Sequence, residues 1–134
     1  MTQTESLIRF ILGPIKPNIR PLTYAVDIAI DLMFNQNIPM DDILVTKDIY
    51  PAVSKMLKTR KGTPPSVVAV TRQIIRLSNQ CWDSLVARDI VIEYIGAPIK
   101  HIHAPRDMIF YLAFYSHLKK PFYVAITQEP ALLF

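Results

Sequence analysis

Ala69, Arg72, Gln73, Arg76 and Gln80 are spaced as side chains on one face of an α-helix are spaced. Two guanidinium groups, two carboxamides and a methyl group then share a face that holds no carboxylate. Such a set can read base edges in the major groove of a duplex. Arg bonds bidentately to guanine O6 and N7, Gln bonds to adenine N6 and N7, and a small residue lets the helix come close. Arg72, Gln73, Arg76 and Ala69 are the expected base contacts. The plainer reading is a solvated basic face whose charges contribute little beyond solubility.

The neighbouring charges weigh between the two. Between Ile49 and Trp82 stand Lys55, Lys58, Arg60, Lys61, Arg72 and Arg76, with no Asp or Glu, so this segment carries +6. The remainder holds nine basic and eleven acidic residues, a balance of −2, so the modest net +4 hides one concentrated positive third. That concentration suits an anionic partner. Lys55, Lys58, Arg60 and Lys61 are expected phosphate contacts, because a flexible basic turn supplies charge without fixed bidentate geometry. The hydroxyls of Thr63 and Ser66 are expected to join them.

Other chemistries find little footing. A Gly-rich phosphate loop, a nucleophile elbow and a carboxylate pair set near a histidine are all missing, so an enzyme is not expected, nor a small-molecule substrate or cofactor. His101 and His103 alternate on an extended stretch, but no cysteine or acidic partner completes a metal site there. The lone Cys81 has no disulfide partner within the chain and suits a reducing compartment. The longest apolar run, Met108 to Tyr115, falls far short of the roughly 20 residues that span a bilayer. A cytoplasmic, membrane-free protein is expected. At 134 residues and 51% apolar content the chain has the size and the side chains for one domain with its own core.

The elements that would hold the polar face follow from apolar periodicity. Ser6 to Gly13 predicts a short helix, followed by a loop punctuated by Pro14, Pro17 and Pro21. Leu22, Ala25, Val26, Ala29, Leu32 and Met33 predict an amphipathic helix to Phe34, with Asp27 and Asp31 on another face. Asp41 and Asp42 introduce a short helical segment to Ile49. Pro51 then opens a helix with Ala52, Val53, Met56 and Leu57 inward and Lys55 and Lys58 outward. After a turn, Thr63 is the expected cap and Pro64 the first residue of the polar-faced helix, with Val67, Val70, Ile74, Leu77 and Cys81 buried. Tyr50 and Trp82 are read as core aromatics rather than stacking platforms. A helix from Val86 to Ile95 stopped by Gly96, an irregular stretch Ala97 to Ala104, and a central apolar helix from Pro105 to Leu118 follow. Tyr123 to Ile126 looks like a short strand in an apolar tail, residues 119–134.

A short helix, a turn and a longer polar-faced helix is the helix-turn-helix plan. Around it the chain resembles the C-terminal DNA-binding effector domain of the sporulation initiation, or stage-zero, response regulator family. The likeness covers roughly residues 6–118. It rests on Ile49-Tyr50-Pro51 with Ser54-Lys55, on Val70, Arg72 and Ile74, on Trp82, on Gly96, and on Pro105 with Phe110 to Leu118. It implies an all-α fold of about six helices, binding to a short asymmetric DNA box, and a homodimer on tandem sites. The chain departs from the family at Ile75, where a second arginine is usual, and at Thr71, in place of a glutamate. Its turn, Thr59 to Pro65, is about six residues longer than the family's. Nothing in the chain resembles the family's acidic receiver pocket, so phosphorylation control is not expected.

Together these readings predict a compact orthogonal all-α bundle, residues 1–134, with a helix-turn-helix whose recognition helix spans about 64–82. The expected function is sequence-specific binding of double-stranded DNA by a transcription regulator. The alternative is a family fold serving as a protein-interaction module of a regulatory pathway, favoured by Val68 and Ile75 on the flank of the polar face.

Overall fold

The Thr2 hydroxyl starts the first helix by accepting the Glu5 N–H at 3.1 Å. The helix, α1 (Gln3–Leu12), ends at Gly13, where φ is +90°. This start lies upstream of the expected Ser6, because a capped polar turn precedes the apolar positions. The computed structural model describes residues 2–14, 18–102 and 104–134. Pro17 of the expected proline loop and His103 of the expected histidine pair lie outside them.

All regular structure among the described residues is helical, in agreement with the expected all-α fold. Helix α2 (Arg20–Ile30) carries Pro21 in its first turn and buries Leu22, Ala25, Val26 and Ala29. It continues as a wide π-helical turn, Asp31–Asn35, that buries Met33. Asp27 is half-buried rather than on a solvated face, and accepts the Thr4 hydroxyl at 2.7 Å. Thr4 also bonds the buried Ser116 hydroxyl at 2.9 Å. Loss of water pushes the Asp27 carboxyl above its ordinary range, and the Thr4 bond only partly opposes this.

The expected segment from Asp41 to Ile49 is split in two, a 3-10 turn Met40–Asp42 and a π-helical turn Val45–Ile49. The second runs directly into α3 (Tyr50–Met56), with Pro51 in the first turn and Tyr50, Val53 and Ser54 buried. Met56, expected inward, is 51% exposed. Ser54 is the last buried position of the helix, and Lys55 and Met56 after it are both exposed.

Helix α4 (Val67–Ala87) runs on beyond Trp82, where the sequence reading ended it. Leu85 explains the extension, since it prolongs the stripe one turn past Cys81 and is 1% exposed. Val86 consequently belongs to α4, and α5 (Val91–Ile95) is shorter than expected. Arg88 and Asp89, the latter at φ +55°, make the break. Arg88 also donates from Nη1 to the Phe10 and Ile11 carbonyls at 2.8 and 3.1 Å, and lies over the Phe10 ring. Its charge thus serves the carbonyl end of α1.

Helix α6 (Asp107–Leu118) is the central packing helix, buried continuously from Met108 to Phe114. Its contact with α2 is the most extensive between any two elements. The buried apolar side chains of all seven α-helices join one cluster.

The expected strand at Tyr123 to Ile126 is instead helix α7 (Phe122–Gln128). An isolated strand there would leave its backbone unpaired, whereas a helix satisfies it internally. The helix also places Phe122 and Ala125 one turn apart on α6, with the Phe122 ring 4.9 Å from Phe114 and 5.1 Å from Tyr111. Gly96 permits this docking. At φ +92°, a Cβ on it would stand 2.9 Å from Pro121 Cβ and 3.3 Å from the Val124 nitrogen. Gly96→Ala is expected to cost ~1–2 kcal/mol from the left-handed backbone, with the contact adding to it, measured as a lowered calorimetric melting temperature.

Candidate nucleic-acid interface

The connection from α3 to α4, residues 57–66, is ten residues long, well beyond a helix-turn-helix turn of 3–4 residues. It is nevertheless ordered by its own bonds. The Thr59 N–H donates to the Thr63 carbonyl at 2.7 Å, and the Gly62 N–H to the Thr59 carbonyl at 2.9 Å. The two threonine hydroxyls meet at 3.1 Å. A tight turn results, with Gly62 at φ +82° and Arg60 and Lys61 at its exposed tip. The far end is pinned to α3 by the Ser54 hydroxyl, which donates to the Pro65 carbonyl at 2.6 Å.

Thr63 was expected to cap α4, with Pro64 as its first residue. The cap is Ser66 instead, whose Oγ accepts the Ala69 N–H at 3.1 Å. The Pro64-Pro65 pair excludes the earlier start. A residue preceding proline is pushed out of the helical region, so Thr63 and Pro64 are both held extended. Thr63 and Ser66, both expected as phosphate contacts, remain exposed while serving the turn and the cap.

Along α4, Val70, Ile74, Leu77 and Cys81 are buried as expected. Burial pushes the Cys81 thiol up to about 12, so it stays a neutral core group. Val67, expected on the same stripe, is 40% exposed. With the helix starting at Val67, this residue sits at the open end, one turn beyond the last core contact at Val70.

Arg72, Gln73 and Arg76 are exposed and lie on one face, with Ala69 partly covered at its start. Gln80 departs from that face. Its Oε1 is buried and finds no partner among the described residues, as does Ser78 Oγ. Lys55 and Lys58 are also exposed, Lys55 in the last turn of α3 and Lys58 just beyond it. Among the described residues, the side chains of Lys55, Lys58, Arg60, Lys61, Arg72 and Arg76 make no hydrogen bond or ion pair. Their charges are thus left to solvent or a partner, in contrast to Arg88.

Tyr50 is buried, as expected of a core aromatic, and burial pushes its hydroxyl above the ordinary range while the Arg106 guanidinium partly offsets this. Trp82 is half-buried against the core. One feature of this surface has little signal in the sequence. Thr46, Tyr50, Val67, Val68, Thr71 and Arg72 line an open groove of about 310 Å³ beside the N-terminal end of α4. The only signal for it was Val68, an apolar residue off the buried stripe and 60% exposed.

Among the described residues no three His, Cys, Asp or Glu side chains are grouped to hold a metal ion, and no helix is long and apolar enough to cross a membrane. No family model, curated protein or solved structure matches the chain.

Proposed function

We propose that this protein binds double-stranded DNA sequence-specifically and regulates transcription, laying the Arg72–Arg76 face of α4 in the major groove. The observation that carries this reading is the set of six exposed cations on α3, its connection and α4, unpaired among the described residues, in a segment without a carboxylate. In this reading α3 and α4 act as a helix-turn-helix with an enlarged basic turn. Lys55, Lys58, Arg60 and Lys61 hold phosphates, while Arg72, Gln73 and Arg76 meet base edges. The Ser54 bond to Pro65 and the Thr59–Thr63 turn limit how far the basic tip can move, so less conformational freedom is lost on binding. The resemblance to the sporulation initiation effector family supports the same assignment and adds a homodimer on tandem boxes, and the lone, buried Cys81 suits a cytoplasmic setting. Neither a cofactor nor catalysis enters it.

The test is fluorescence anisotropy of wild type and Arg72→Ala on duplexes selected from a randomised pool. Arg72→Ala is expected to lose about 1–3 kcal/mol of preference for selected over random duplexes. A wild type that binds no duplex even at low salt would falsify the proposal.

A second reading, a protein-interaction module, draws on the exposed Leu44, Met56, Val67 and Val68. It predicts a partner affinity that changes little with salt, because apolar contact is not screened.

A further inference from the structure

The polar face of α4 is interrupted at its N-terminal end by apolar surface that a purely electrostatic interface has no use for. Val67 and Val68 are 40% and 60% exposed, and with Thr71, Thr46 and Tyr50 they form the groove that Arg72 borders. Val68 lies one turn before Arg72, and four residues of helix advance about 6 Å. Successive bases on a strand are spaced by about 3.4 Å, so the groove and Arg72 are one or two base pairs apart along a helix following the major groove. The apolar group a base pair displays there is the C5-methyl of thymine. A guanidinium at the rim and unpaired cations on the same helix and its connection favour a polyanion as the occupant over an apolar peptide.

We infer that this groove is a thymine-reading subsite: it receives the C5-methyl edge of a thymine one or two base pairs from the guanine bonded by Arg72. The inference rests on the proposed DNA binding and adds a base preference to it. Val67 and Val68 supply the apolar wall, and Thr71 lines the groove beside them. Burying one methyl group there is worth about a fourfold gain in affinity.

The experiment uses the full chain and selected duplexes in which each thymine near the preferred guanine is replaced singly by deoxyuridine, which removes only the methyl group. One replacement is expected to raise Kd about fourfold. In Val68→Ala, an exposed change that spares the core, the same replacement is expected to have a smaller effect. Selected duplexes without thymine at those positions would overturn the inference. So would equal binding of thymine and uracil duplexes while Arg72→Ala still weakens binding, which would leave DNA reading intact and the groove free for an apolar side chain of a protein. Absence of any duplex binding would remove the inference and the proposed function together.

Discussion

Raising the salt from about 50 to 200 mM is expected to weaken duplex binding by about a hundredfold. Each phosphate neutralised releases condensed counterions, so affinity falls with salt as a power of roughly 0.9 per contact. The proposed phosphate contacts are Lys55, Lys58, Arg60 and Lys61, all exposed and unpaired among the described residues. Four contacts give an exponent of about 3.6, and a fourfold rise in salt then gives the hundredfold loss. The Arg60→Ala/Lys61→Ala double variant should lower the exponent by about 1.8, because both residues sit at the tip of the Thr59–Thr63 turn. Anisotropy titrations across a salt series measure this. A flat response would point to an apolar protein interface instead.

Phe114→Ala is expected to destabilise the fold by about 3–5 kcal/mol. The ring is 0% exposed on the central helix α6. It meets Phe34 edge-on at 5.8 Å and Phe122 at 4.9 Å, so it ties the π-helical turn after α2 and the start of α7 to α6. Truncation removes both aromatic contacts and leaves a cavity between three helices, which backbone relaxation fills only in part. Urea unfolding measures the loss, and a change below about 1 kcal/mol would mean that the site closes over the missing ring. Arg72→Ala, at an exposed helix position, should stay within about 0.5 kcal/mol of wild type in the same assay. The pair separates the residues that hold the fold from those proposed to bind.

Much of this organisation is legible in the order of residues. The periodic spacing of Leu22, Ala25, Val26 and Ala29 and of Val70, Ile74, Leu77 and Cys81 predicts two core helices, because a side chain every three or four residues returns to one face. All of these are buried. The almost uniformly apolar run from Met108 predicts a helix covered on every side, and α6 is that helix. The basic third is a property of composition and needs no fold to be seen.

What tertiary structure decided lies where local signals do not settle the outcome. Tyr123 to Ile126 favours a strand by propensity, yet it is helical, and Phe122 meets the Phe114 and Tyr111 rings on α6. Val67 fits the buried stripe by spacing yet lies at the open start of α4, where it is 40% exposed. Gln80 fits the polar face by spacing, yet its amide oxygen is buried. The start of α4 is in part an exception: Pro64-Pro65 carries a local signal against helix at Thr63 and Pro64, through the restriction each proline places on the residue before it. Sequence alone thus determined the helical character, the principal core positions and the concentration of positive charge, because these follow from periodicity and composition within a segment. The groove beside Arg72, the docking of α7 and the exposure of each site residue depended on which distant surfaces meet, and only the packed chain decides that.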